Sequence, residues 1–314
     1  MKPLQVDFFV IGAARAGTTS LYTYLGQNPA IFLPLVKECN YFSRVDSMIR
    51  EVYRDPKEGE EYHMKIIRSE AVYRSLFDQA RPDQVKGEVS PSYLFYKSTA
   101  ARIYRHNPKA KIVVSLRNPV ERAYSHFQMH NATGYEPCDQ FTEAIKAPKN
   151  PIWGGGNIYL EASQYFGQLK SYYDLFPSSQ IHVLIYEDWT ADPEKALKDL
   201  YAFLGVTPQG AINKSKAHNQ GVKGKHKGLL NFVRKLRVNE LVNTLLPRKA
   251  SELIKERLFT EDTAVDPLPT EVYSELIKDF DADIKKTADL TGKPLMEIWE
   301  RMPEESSQKA TALD

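Results

Sequence analysis

The stretch Val6 to Leu25, V-D-F-F-V-I-G-A-A-R-A-G-T-T-S-L-Y-T-Y-L, decides the fold. The apolar run Val6 to Ile11 is too short for a helix and rich in β-formers, so it reads as a buried strand. Gly12 opens a turn and Gly17 closes it. From there the period changes, and Leu21, Tyr24 and Leu25 fall on one helical face. The unit is therefore strand, glycine-bounded loop, helix. Such a unit aims backbone N–H groups and the positive end of a helix dipole at one spot. An anion belongs there, and a phosphate fits best.

Gly12 and Gly17 stand at the spacing of an ATP-binding P-loop, in which Lys follows the second Gly to reach the β- and γ-phosphates. Here Thr18 holds that place, followed by Thr19 and Ser20, and the cation sits inside the loop at Arg15. Three hydroxyls and one internal cation suit a nucleotide whose far end is not a triphosphate. G-A-A-R-A-G-T-T-S-L resembles the 5′-phosphosulfate loop of the sulfotransferases, which use 3′-phosphoadenylyl sulfate (PAPS). The resemblance points to the soluble, carbohydrate- and heparan-type branch. It implies that Arg15, Ala16, Gly17, Thr18, Thr19 and Ser20 contact the donor.

A second unit lies further on. Lys111 to Leu116 is a β-branched strand. It ends at Arg117-Asn118-Pro119, with Asn118 as cap and Pro119 as first residue of the next helix. Arg117 thus stands at the C-terminal edge of a parallel strand, where open α/β sheets bind ligands. L-R-N-P-V-E-R-A-Y-S-H-F resembles the family's 3′-phosphate segment, which implies that Arg117 and Ser125 grip that phosphate. His126 and His130 have no sequence-adjacent carboxylate to orient them and read as structural or surface residues.

Three weaker segments complete the resemblance. Lys37-Glu38 followed by Asn40-Tyr41-Phe42 is similar to K-E-x-H-F-F, whose Glu is the base on the acceptor hydroxyl. That role falls on Glu38, with Asn40 replacing the usual His, while the residues alone read as ordinary surface charges. G-E-V-S-P-S-Y, residues 87–93, matches a segment that in glycosaminoglycan enzymes carries a Lys where Val89 stands, which leaves Arg15 as the main catalytic cation. Residues 213–228 hold five Lys, two His and three Gly. A basic loop there closes over the 3′-phosphate in relatives, so Lys223, Gly224 and Lys225 are candidate contacts, with a solvated charge run as the rival reading. Y-E-D-W, residues 186–189, reads as architectural.

Bulk properties narrow the rest. With 314 residues, 42 basic and 40 acidic side chains and a net charge of +2, nothing argues for nucleic acid or a polyanionic partner. Two cysteines are too few for a disulfide framework and fit a reducing compartment. No apolar window reaches the length of a membrane span, and the start M-K-P-L-Q-V-D does not read as a signal peptide. The expectation is a soluble cytoplasmic protein, or a longer one trimmed of its anchor.

The expected architecture is α/β, a P-loop-like three-layer domain with a mostly parallel central sheet. It runs over residues 1–302, with a polar tail at 303–314. Residues 132–157 are expected to be a lid or binding loop, and Tyr159 to Phe176 one long helix. The implied reaction moves the sulfuryl group of PAPS to an acceptor hydroxyl on a carbohydrate, a glycolipid, a hydroxylated acyl or polyketide chain, or a peptide tyrosine. Adenosine 3′,5′-bisphosphate is released, and no metal is needed. Two alternatives stand: a P-loop-type ATP-dependent phosphotransferase, and a non-catalytic nucleotide-binding module. Oligomeric state is not readable from the residues.

Overall fold

The computed structural model describes residues 4–43, 62–63, 67–133, 135–150, 153, 156–208, 213 and 267–299. The basic-loop candidates Lys223, Gly224 and Lys225, the domain end at residue 302 and the tail lie outside them.

Among the described residues seven strands appear in chain order: β1 (Phe8–Gly12), β2 (Ile31–Phe32), β3 (Val36–Lys37), β4 (Tyr62–His63), β5 (Val85–Val89), β6 (Lys111–Leu116) and β7 (Ile181–Ile185). Five of them form a parallel sheet in the order β2-β5-β1-β6-β7, and β3 pairs with β4 separately. Strand β1 is central. The chain after it goes to one edge, and the chain after β5 goes to the other. This is the α/β, P-loop-like sheet expected from the sequence.

Helices cover both faces because strand side chains alternate. Phe9 and Ile11 point to one face, with Ile112 and Val114 beside them. That face packs on α3 (Ser92–Phe95), α4 (Ser98–His106), α5 (Pro119–Ala132), α7 (Tyr165–Tyr173) and two C-terminal helices, α10 (Thr270–Thr291) and α11 (Leu295–Trp299). Phe8 and Val10 point the other way. They meet α1 (Thr18–Leu25), α8 (Tyr186–Ala191) and α9 (Pro193–Leu204). Each fully buried Phe contributes roughly 2 kcal/mol. Helix α2 (Glu70–Ser75) adds Tyr73 to the first face. No described helix is long and apolar enough to cross a membrane.

Local chemistry sets the helix ends. Asn118 accepts from the N–H groups of Val120 and Glu121, with Pro119 first in α5 as expected. Asp192 caps α9, and Gly205 ends it at φ 79°. Thr270 is the first helical residue of α10, which starts after Pro269 with no side-chain capping bond. The long helix expected over Tyr159 to Phe176 is divided into a 3₁₀ turn at Glu161–Ser163 and α7. The break has a cause. Asp283 accepts from the N–H groups of Tyr165 and Phe166 and starts a new helix there. Residues 132–157 are not loop throughout, since they carry α6 (Phe141–Ala144) and the buried Trp153 and Asn157.

Candidate active site

The loop from Gly12 to Gly17 leaves the C-terminal end of β1. Ala13 N–H donates to the Ser115 carbonyl at 2.7 Å, which ties the loop to β6. Gly17 has φ 78°, and a Cβ there would lie 2.2 Å from the Trp189 ring. Both observations require glycine. Trp189 is itself fixed by its indole N–H on Ser115 Oγ at 2.8 Å. Helix α1 begins at Thr18 with no side chain capping it and no acidic residue in its first turn. Its first N–H groups and its dipole therefore remain for an anion. Thr18 is buried, and Thr19 and Ser20 are half-buried beside it.

Arg15 sits at φ 69°, in the left-handed region, which turns its side chain out of the loop toward α5. Its Nε donates to Ser125 Oγ at 3.1 Å, and Nη1 contacts Met129 Sδ at 3.5 Å. Arg117, at the end of β6, donates from Nη1 to the Arg15 carbonyl at 3.3 Å. It also pairs with Glu121 at 3.1 Å and lies over the Tyr186 ring, 4.8 Å from its centroid. Arg15, Arg117 and Ser125 are thus brought together. Burial and then the charge of Arg117 hold the Arg15 guanidinium below its usual value, while Tyr186 and Glu38 act the other way.

A third guanidinium lies underneath. Arg122 is fully buried and donates to Ser163 Oγ at 2.6 Å, the Ala14 carbonyl at 3.2 Å and the Tyr159 carbonyl. All three partners are neutral. Burial, helped by Arg117 and Arg15, pushes Arg122 down to about 10. Among the described residues, Arg117 alone of the three guanidiniums has a carboxylate at ion-pair distance. The site therefore carries excess positive charge aimed at the strand ends, and the residues present fit an anionic ligand.

Glu38 meets this edge from the other side. Its N–H donates to the Val89 carbonyl at 2.9 Å, at the end of β5, and its charge is felt by Arg15. The surface reading is overturned for Lys37, while Glu38 is half-buried. Lys37 is 3% exposed and contacts Glu38 Oε1. Asn40 bridges the segment, donating from Nδ2 to the Glu38 carbonyl at 2.6 Å and accepting from Ser92 Oγ at 2.5 Å. Below it, Glu88 is buried and accepts from Tyr73 at 2.7 Å, Ser90 at 2.8 Å and Cys39 at 2.9 Å, and from Tyr93. Burial raises its pKa even so. His126 and His130 are buried rather than on the surface. His130 Nδ1 lies 3.2 Å from the Tyr159 hydroxyl, which donates to Glu136 at 2.7 Å. The Y-E-D-W segment is architectural through Glu187, which accepts from Asn118 N–H at 2.8 Å and the Trp299 indole at 3.2 Å. Its Tyr186 faces the site as well.

A parallel sheet whose central strand runs into an uncapped helix start, with a cationic strand end against it, defines a P-loop-like α/β domain with two adjoining turns whose charge suits an anion. The chain belongs to the sulfotransferase family, whose model matches residues 7–209. It is similar to a solved sulfotransferase from Alicyclobacillus acidocaldarius, at 28% identity and a TM-score of 0.66, over 96% of this chain and 100% of that one. The membrane-associated sulfotransferase kil1 of Dictyostelium discoideum is 26% identical over 280 residues, covering 64% of this chain and 56% of the relative. Carbohydrate sulfotransferase 15 of Homo sapiens is 24% identical over 262 residues, 68% of this chain and 46% of the relative. The bifunctional heparan sulfate N-deacetylase/N-sulfotransferase of Drosophila melanogaster is 26% identical over 220 residues, 64% of this chain and 20% of the relative. The chain thus spans between 20% and 56% of the length of these three curated relatives.

Proposed function

We propose that this chain moves the sulfuryl group of PAPS to an acceptor hydroxyl. The observation that carries the reading is the junction of the two turns. Arg15 of the first bonds Ser125 of the second, and Arg117 of the second bonds the Arg15 carbonyl. Two anion-binding turns in contact suit one ligand with two phosphates, which ATP with its single phosphate chain does not offer.

PAPS, when bound, supplies an activated sulfuryl group on its 5′-phosphate. Ala16, Gly17, Thr18, Thr19 and Ser20 hold that phosphate at the start of α1. Arg117 holds the 3′-phosphate through its planar fork. Ser125 accepts from Arg15, so its own hydroxyl proton is free to donate there. Lys223, Gly224 and Lys225 are the further residues proposed to contact the same phosphate. Glu38 takes the proton of the acceptor hydroxyl. Arg15 stabilises the charge that grows on the oxygen bridging sulfur and phosphorus.

The acceptor class proposed is carbohydrate, with glycolipid and hydroxylated acyl or polyketide chains as the wider set. Its support is that relatives are named for carbohydrate and heparan sulfate. Purified protein incubated with labelled PAPS and fractionated cell extracts should label an acceptor and release adenosine 3′,5′-bisphosphate. Consumption of magnesium-ATP with PAPS left intact would replace this reading with the phosphotransferase one.

A further inference from the structure

Lys37 and Glu38 are consecutive, and Lys37 ends a strand. On extended backbone their side chains should point to opposite sides. They meet because Glu38 leaves the strand at φ 60°, in the left-handed region that a non-glycine residue enters only when its surroundings hold it there. The surroundings do so. The Val89 carbonyl takes the Glu38 N–H at 2.9 Å. Asn40, itself at φ 54°, donates its side-chain amide to the Glu38 carbonyl, and its own N–H donates to Ser90 Oγ at 3.2 Å. Four residues of two segments therefore fix a local geometry whose result is to set the Glu38 carboxylate against the Lys37 ammonium.

The ammonium is in an unusual position. It is 3% exposed, and among the described residues its one polar partner is Glu38 Oε1. An ammonium carries three N–H donors and no acceptor. Leaving donors of a buried cation without partners is costly. The carboxylate it touches is the one whose charge reaches Arg15 at the mouth of the loop. Open donors on a buried cation at that place fit acceptor oxygens that arrive with a ligand.

We propose that Lys37 is a second cation of the transfer site, one that recognises the sulfuryl oxygens of the donor. The inference rests on the sulfotransferase reading of the site. Before transfer, Lys37 orients Glu38. In the transfer the acceptor oxygen bonds to sulfur while the bond from sulfur to the 5′-phosphate oxygen breaks. The acceptor proton passes to Glu38, and the electron pair of the broken bond stays on the phosphate. The donors that Glu38 leaves open on Lys37 meet the sulfuryl oxygens of the bound donor, and as the Glu38 charge is neutralised that contact strengthens. Arg15 serves the phosphate side of sulfur and Lys37 the acceptor side.

A cation that reads the sulfuryl group separates PAPS from adenosine 3′,5′-bisphosphate, which lacks it. Titration calorimetry with each nucleotide on the wild type, Lys37→Met and Lys37→Arg tests this. Lys37→Met should keep the bisphosphate within about twofold of wild type and weaken PAPS by roughly tenfold or more, the worth of a charge-assisted hydrogen bond. Lys37→Arg, which keeps the charge, should recover most of the loss. Retained bisphosphate binding in Lys37→Met also shows that the variant is folded. Equal weakening of both nucleotides in both variants, or no change in either, would overturn the assignment. A wild type that binds neither nucleotide sinks the sulfotransferase reading itself, and the Lys37 assignment with it.

Discussion

Arg15 Nε donates to Ser125 Oγ at 3.1 Å across 110 positions of sequence, joining the loop after β1 to the helix after β6. The bond makes one site of two turns that the sequence presents separately. It also leaves the Ser125 hydroxyl proton to donate to an anion, since Ser125 Oγ accepts from Arg15. Ser125→Ala should weaken adenosine 3′,5′-bisphosphate by roughly fivefold to tenfold, the net worth of one or two hydrogen bonds, with little loss of stability. Calorimetry paired with a thermal melt checks both parts.

Gly17 is fixed by two independent constraints, its φ of 78° and the Trp189 ring in the space a side chain needs. Gly17→Ala should cost about 2 kcal/mol or more, because Trp189 is bonded to Ser115 and cannot give way cheaply. Urea denaturation measures the cost.

Arg122 binds three neutral acceptors in the core, so neither Lys nor Met replaces it. Arg122→Met should leave the Ala14 and Tyr159 carbonyls without their donor and lower stability by roughly 3 kcal/mol. The loss should appear in the apo protein and exceed that of Arg117→Ala, since Arg117 is partly open to solvent.

His126 is buried beside His130, Arg122 and Arg15. Burial first, then those three charges, hold it well below the usual 6.5. The folded state keeps it neutral while the unfolded chain takes up a proton near 6.5, so stability falls as pH drops below that value. His106 and His182 shift the same way. Glu88 and Glu187, raised by burial, act oppositely, losing stability as pH rises from their ordinary range near 4.5. Between pH 6.5 and 5.5 the slope from His126 alone approaches about 1.4 kcal/mol per pH unit. Urea midpoints over that range should flatten in His126→Gln.

Glu38→Gln should leave nucleotide affinity unchanged and lower sulfuryl transfer by roughly a thousandfold, as removal of a general base does. Single-turnover release of adenosine 3′,5′-bisphosphate with an acceptor present reads the rate. Persisting turnover would move the base elsewhere.

What the sequence made legible is local. The Gly12 to Gly17 turn, the Asn118-Pro119 helix start and the alternation of Phe8 to Ile11 are each specified by neighbours a few residues apart. The burial of Lys37 is not, because the left-handed turn at Glu38 carries no glycine to announce it and depends on Val89, Ser90 and Ser92, about fifty positions later. The break at Gln164 depends on Asp283, 118 positions from Tyr165. Arg122 does carry a signal in the sequence. Arg122, His126 and His130 recur every four residues along α5, a buried polar stripe beside Val120, Ala123 and Phe127. Polar groups at helical spacing on an apolar face mark a network in the core. Here it is one that supports the loop from below.

The central claim is that the turns after β1 and β6 grasp the two ends of one bisphosphorylated adenosine. Titration calorimetry with adenosine 3′,5′-bisphosphate, on the wild type and on Arg117→Ala, tests it most directly. The account predicts one-to-one binding by the wild type and at least about a thirtyfold loss in Arg117→Ala, the worth of a charge-assisted arginine–phosphate contact. No heat of binding to the wild type, or an affinity that Arg117→Ala leaves untouched, would contradict it.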